Sequence, residues 1–426
     1  MPMKRPLDRA VASWAMYDWA NSAFSTTVMA GFVPVLFKHY WNAGVDASTS
    51  SFRLGLTNSI ASLVVAVIAP ALGAIADAGG TCKRFLVASA GIGIVATAWL
   101  FLVSQGDWVT AAAIYALGVI GFSASMIFYD AMLVDVATPA TSDRVSALGF
   151  GLGYLGGGVL FALNVVMTQR PALFGLADAT AAARWSFLTV ALWWALFTIP
   201  LVLHVRERTS PAAARDLPAG GAGRRGLRQI GQTFHHLRAH RNIFVFLLGY
   251  WLYIDGVHTI VRMAVDYGIS LGFESSSLIL ALLLTQFVGF PASLAFGRIG
   301  ERFGARTGIL IAIAVYALIC VWGYRLAHIW EFYALAGAIG LVQGGINSLS
   351  RSWFSRLIPR EQSAQFFGYY NTIGRFSAVL GPVFMGWISV ATGNPRLSML
   401  GLIVFFVAGA LFLARVREAP LSSAQP

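Results

Sequence analysis

Charge is what this chain has least of. Asp, Glu, Lys and Arg make up 11% of its 426 residues, against 57% hydrophobic ones. A water-soluble domain covers its surface with roughly a quarter charged residues, so a soluble globular fold is excluded. Cysteine is almost missing too. Cys82 falls between two apolar stretches and Cys320 within another, so neither a disulfide nor a metal-ligand spacing is expected. Ten-residue stretches of alternating polarity do not occur, which argues against a membrane β-barrel. Gly220-Gly221-Ala222-Gly223 lacks the Gly-Lys-Ser/Thr ending of a phosphate loop, and no ATP-hydrolysing motif occurs elsewhere. No His-Glu-x-x-His metal motif appears, and Gly151 to Gly158 contains no serine nucleophile elbow. An enzyme is therefore not expected, and neither a cofactor nor a metal. Met1 to Arg9 is short and charged, and the apolar stretch after it is too long for a signal-peptide core, so no cleavable leader is expected.

What the chain does have is length without charge. Stretches of about 20 apolar residues, enough to cross roughly 30 Å of hydrocarbon, recur twelve times. They run over 13–38, 53–76, 85–103, 109–136, 145–168, 185–204, 242–268, 276–297, 307–324, 330–354, 362–391 and 397–414. Their period is helical, so the expected fold class is an all-α integral membrane protein with twelve transmembrane helices. Residues 205–241, rich in Arg, Ala, Gly and Pro, are the one long polar interruption. They divide the chain into a first bundle over 12–204, a linker, and a second bundle over 242–416. Within the linker, Leu227, Ile230, Phe234 and Leu237 recur at helical spacing, as in a helix lying on a membrane surface. Trp41, Trp108 and Trp330, near span ends, read as interfacial anchors.

The net charge of +12 invites a nucleic-acid reading, but its distribution decides against one. With the N-terminus inside, 21 of the Lys and Arg residues fall in inner segments and 6 in outer ones, and 3 lie within spans. That is the positive-inside rule, with both termini cytoplasmic, in the plasma (inner) membrane if the source is bacterial.

A polar phrase occurs twice. Gly73-x-x-x-Asp77-x-x-Gly80 is followed by Lys83 and Arg84, and 224 residues later Gly297-x-x-x-Glu301-x-x-Gly304 is followed by Arg306. Pro139 to Gly149 and Pro359 to Gly368 repeat as well, each ahead of the fifth span of its half. Two pseudo-symmetric six-helix bundles with this phrase between spans two and three, and eight and nine, resemble the major-facilitator transporters. The first copy departs by one position, its base being Lys83. Tyr17-Asp18-Trp19-Ala20-Asn21-Ser22-Ala23-Phe24, Gly345 to Ser352, Phe366 to Tyr370, Gly374-Arg375 and Leu380-Gly381-Pro382 are similar to the vacuole-effluxer-like group, also called the unknown major facilitator family. The resemblance implies a secondary transporter working by alternating access. Since fungal members are associated with amino-acid export, it implies an amino acid or related carboxylate as the solute.

Polar residues inside spans are the site candidates, because each is costly in lipid unless it faces a cavity or a partner. Asp18, Asn21, Ser22 and Ser25 share one face of span one. Tyr129 and Asp130 lie in span four, with Ser123 one heptad earlier. Asp255, His258 and Arg262 stack in span seven, and Gln343, Asn347 and Arg351 in span ten. In the fold that the chain resembles, these four spans line the pore. Depth along the helices brings Asp18, Asp130 and Arg351 together in the inner half of a central cavity. Asp18 or Asp130 is the expected coupling site, for a proton rather than sodium. Arg351 and Arg375, with Asn371 nearby, are expected to counter an anionic group of the solute. The alternatives are mutual pairing that merely locks the bundle, a proton- or sodium-coupled sugar symporter, and a non-transporting receptor. The repeated phrase is expected to form an inner gate from Gly73, Asp77, Gly80, Lys83, Arg84, Asp135, Arg144, Gly297, Glu301, Gly304 and Arg306, with the acids pairing with loop cations or a helix N-terminus. The partners expected are a small solute, a coupling ion and the bilayer, with the chain monomeric.

Overall fold

The computed structural model describes residues 8–207, 240–270, 275–376, 380–392 and 395–417. Helices follow one another along almost all of it. They are α1 (Arg9–Trp41), α2 (Ala47–Gly79), α3 (Cys82–Leu102), α4 (Trp108–Val136), α5 (Ser142–Gln169) and α6 (Ala179–His204). After the linker come α7 (Arg241–Ser270), α8 (Ser275–Phe303), α9 (Ala305–Tyr324) and α10 (Ile329–Leu357). Helix α11 is described in two stretches, Ser363–Phe376 and Leu380–Thr392, and α12 covers Arg396–Ala414. Among the described residues, eleven of these helices are long and apolar enough to cross a membrane. The surface helix expected over 226–241 falls almost wholly outside the described residues.

Local chemistry sets the helix ends. The carboxylates of Asp46, Asp107 and Asp178 accept from Thr49 N (2.8 Å), Thr110 N (3.2 Å) and Ala181 N (2.7 Å), capping α2, α4 and α6 at one end of the molecule. At the other end α2 stops on Gly80 and α9 starts from Gly304, both with positive φ (+56° and +84°), where a side chain would be strained. This is called the repeat end below. Helix α1 is irregular, with π-helical turns over Phe24–Phe32 and Phe37–Trp41. Pro70, Pro200 and Pro291 interrupt the hydrogen-bond ladders of α2, α6 and α8.

In hydrocarbon, helices gain nothing by hiding apolar surface from one another, so close packing of small residues decides their arrangement. Leu63, Leu102, Leu192, Leu318 and Leu411 accordingly stay exposed on the outside. The glycine-rich stretch of α5 lies against α1, and a Cβ on Gly156 would come within 2.6 Å of Trp19 O. Among the described residues the two halves of the chain meet where α11 packs on α2 and α4, and where α5 packs on α8 and α10. Of the three expected anchors, Trp330 is exposed, and Trp108 is half-buried beneath the Arg53 guanidinium at 4.0 Å. Trp41 is fully buried instead, stacked on Phe187 at 6.0 Å, because the π-turns of α1 swing its ring into the bundle.

Candidate functional site

The site begins with Arg351, only 1% exposed although it carries a full charge. An isolated ion there would cost several kcal/mol, so its partners decide whether the fold holds. Its Nη1 donates to Asp130 Oδ1 at 3.0 Å and to Asp18 Oδ2 at 3.4 Å. Its Nε donates to Ser146 Oγ and its Nη2 to Ser146 O, both at 2.9 Å. The flat face of the guanidinium lies 4.2 Å from the ring of Phe150 and 4.9 Å from that of Trp14. Tyr129 donates to Asp18 Oδ2 at 3.0 Å, and Asn371 Nδ2 to Asp130 Oδ2 at 2.9 Å. Trp14 stacks on Tyr129 at 4.4 Å and donates through Nε1 to Tyr129 O at 3.0 Å, which fixes that hydroxyl over the carboxylate. Gly149 leaves the room: a Cβ there would sit 2.7 Å from the Tyr129 hydroxyl and 3.0 Å from Asp18 Oδ2.

Asp18, Tyr129, Asp130 and Ser146 come from the first half, and Arg351 and Asn371 from the second. The cluster therefore ties the halves together. Among the described side chains it is also one positive charge short: two carboxylates face one guanidinium, so with both ionised it carries a net charge of −1. A buried group of that kind is stabilised by taking up one proton or one cation.

A cavity of about 400 Å³ lies between the halves, with Asp18 at its blind end. The polar face of α1, Asn21, Ser22, Ser25 and Thr26, lines it from there towards the helix ends at Gly323 and Leu326, away from the repeat end. Gln343 and Tyr154 add polar groups, and Gln286 of α8 donates to Thr26 Oγ1 at 2.9 Å across the cavity. The remaining walls are largely apolar, from Phe122 and Met126 of α4 to Leu335 and Ile339 of α10. Asp130 and Arg351 lie behind Asp18 and are not part of the lining. Asn347 donates to Gln343 O at 2.9 Å, one turn back on α10.

The α7 stripe lies elsewhere. Ile260, Val261 and Ala264 line the cavity, which at 3.6 residues per turn puts Asp255 on the opposite side of the helix and His258 on its flank, one turn from Val261. Asp255 Oδ1 accepts from Gly381 N of α11 at 3.1 Å. Arg262 shares that face by position, and its side chain, like that of Arg375, is outside the described residues.

At the repeat end the halves are fastened twice more. Asp77 accepts from Ala364 N at 3.0 Å and Gln365 N at 2.8 Å, capping the first turn of α11 in the other half. Gly73 permits the approach, because a Cβ there would sit 2.4 Å from Ala364 O. On the pseudo-symmetric side, a Cβ on Gly297 would sit 2.6 Å from Ala147 Cβ of α5. Asp143, at the start of α5, accepts from Ser352 and, at 2.9 Å, from Arg356 Nη1 of α10. Lys83, Arg84 and Arg306 of the expected gate interact within their own half. Lys83 donates through its backbone to Glu207 and through Nζ to Val205 O at 2.9 Å, and Arg84 is exposed near the same carboxylate. Burial first, then the charge of Asp135, pushes the Glu207 carboxyl up to about 7, against the opposing pull of Lys83 and Arg84. Arg306 donates to Ala414 O at 2.9 Å, joining α9 to α12. Glu301 and Arg144 are both exposed and face one another across the halves.

Sequence reasoning overlooked Ser146, Asp143, Arg356, Trp14 and Phe150. Asp143 and Arg356 had a readable signal, since Asp143 adjoins Arg144 and Arg356 lies four residues beyond the end of the Gly345 to Ser352 phrase. Ser146 and the aromatic rings had none.

The family model described as vacuole effluxer Atg22 like matches residues 40–142 and 134–419. An uncharacterized MFS-type transporter of Bacillus subtilis, YxiO, is 38% identical over 408 residues, covering 95% of this chain and 94% of its own. Among solved structures, the human organic anion transporter MFSD10 superposes with a TM-score of 0.71 at 14% identity, over 96% of this chain and 100% of that one. The proton:xylose symporter XylE gives 0.71 at 14% identity, over 96% and 95%. At such identities the likeness to the solved structures concerns the fold alone.

Proposed function

The chain belongs to the vacuole effluxer Atg22-like family of major-facilitator transporters, and on that premise we propose that it is a proton-coupled carrier of a small polar solute. The observation that carries this reading is the position of Asp18. It lines the blind end of the cavity and at the same time shares Arg351 with Asp130 across the two halves.

The cavity lining runs from Asp18 away from the repeat end, and the charge distribution favours the repeat end as the cytoplasmic one, which supports reading this conformation as facing outward. A proton reaching Asp18 removes its charge and weakens its hold on Arg351. What remains is one carboxylate, Asp130, against one guanidinium. The cross-half tie loosens, the halves rock, and the fastenings at Asp77 and Asp143 part to open the cytoplasmic end. Release of the proton there restores the cluster. The solute follows the same route, and the family resemblance favours an amino acid or related carboxylate. Arg351 serves this cycle as the shared counter-ion of the two carboxylates.

The test is counterflow by the purified chain in liposomes. The Asp18→Asn variant is expected to lose flux driven by a pH gradient, measured beside exchange driven by solute alone. Flux unchanged in both modes would sink the coupling proposal, and flux following sodium rather than pH would favour a sodium symporter.

A further inference from the structure

We propose that the cavity recognises the cationic end of its solute, so that an amphipathic organic cation with no carboxylate is a substrate in its own right. The inference rests on the transporter reading above and concerns only what the cavity selects.

Three observations lead there. Among the described residues that line the cavity, Asp18 alone carries a full charge. Arg351, the cation expected to meet an anionic solute, lies outside the lining with its Nε, Nη1 and Nη2 directed at Ser146, Asp130 and Asp18. A carboxylate brought down to Asp18 would therefore meet like charge. Second, among its described side chains the cluster is short of one positive charge, which an ammonium at Asp18 supplies as well as a proton does. Third, Phe150 and Tyr154 line the cavity at the Asp18 end, and Phe122 and Phe332 line it farther along, so aromatic and apolar surface extends from the carboxylate for the body of an amphipathic cation.

One consequence is mechanistic. Proton and organic cation are alternatives at a single carboxylate, so they travel in opposite directions and exchange one for one. The competition is set at Asp18 by the groups around it: Tyr129 and Asp130 of α4, Tyr154 of α5 and Arg351 of α10. Cation binding weakens as protons compete, by up to about tenfold per pH unit in the acid range.

The experiment uses the full chain in liposomes and three ring-matched probes. They are phenyltrimethylammonium, which cannot cross a bilayer as a neutral base, phenylalanine and 3-phenylpropionate. Expected are uptake of phenyltrimethylammonium driven by an acidic lumen, its absence from protein-free vesicles, and no competition from 3-phenylpropionate. Asp18→Asn is expected to lower this uptake at least about tenfold and Asp18→Glu to retain part of it. Equilibrium binding of phenyltrimethylammonium to the unaltered chain across pH provides a readout that does not depend on any variant folding. Competition by 3-phenylpropionate, pH-independent cation binding, or no cation uptake would each overturn the inference. Phenylalanine separates the two claims. If it moves with the pH gradient while the cation does not, the transporter reading stands and only this inference fails.

Discussion

At the residue scale, the site is governed by how one guanidinium is shared. Arg351 uses its Nε, Nη1 and Nη2 on Ser146 and two carboxylates, and stacks its face on aromatic rings. Lysine offers a point charge in place of a fork, so Arg351→Lys is not conservative here. Arg351→Met leaves two buried carboxylates without a counter-ion, and the expected loss is about 3–5 kcal/mol of stability. Thermal unfolding of the detergent-solubilised chain checks this. Adding Asp130→Asn to Arg351→Met is expected to recover part of the loss, because one of the stranded charges is gone. If the double variant melts no higher than the single one, the pair is not coupled. The expectation that Arg351 meets the solute came from its type and depth, and neither can reveal that Asp18 stands in front of it.

At the scale of elements, the repeated phrase and the start of each fifth span act as fasteners. Asp77 holds the first turn of α11, and Asp143 holds Arg356 of α10. The two copies are not equivalent. Asp77 binds backbone N–H groups of the opposite half, whereas Glu301 is exposed. Gly73→Leu is therefore expected to keep α2 and α11 apart, since even its Cβ would overlap Ala364 O. The chain then rests with its repeat end open. A cysteine introduced near Ser363 is expected to react faster with a membrane-impermeant maleimide in that variant than in the unaltered protein. Equal labelling rates would mean that α2 and α11 do not form part of the gate.

For the whole molecule, pH is expected to act at more than the proposed coupling site. Glu207 follows the end of α6 and accepts from Lys83 at the start of α3, with its carboxyl raised to about 7 by burial and the nearby charge of Asp135. A carboxyl raised in the folded state binds its proton more tightly there than when unfolded. Its contribution is therefore complete below the unfolded value, about 4.3, and is lost as pH rises to about 7. Glu207→Gln is expected to melt higher than the unaltered chain at pH 8 and alike at pH 4. A difference independent of pH would assign Glu207 a purely steric role. Much of this architecture was legible beforehand. Scarcity of charge and the length of the apolar runs determined an all-helical membrane protein, because hydrocarbon leaves a backbone few other ways to satisfy its hydrogen bonds. The repeat and the polar phrases determined the family. The grouping of Asp18, Asp130 and Arg351 followed from helix rise alone, since depth along a span is a linear quantity. Rotation about a helix axis and distance across a bundle are not linear in the chain. Only the tertiary structure turned Asp255 of α7 away from the cavity, drew Ser146 up to Arg351, and set Asp18 between that arginine and the cavity. It did so through the packing of glycines and ring faces from opposite halves, contacts that no local pattern of residues encodes.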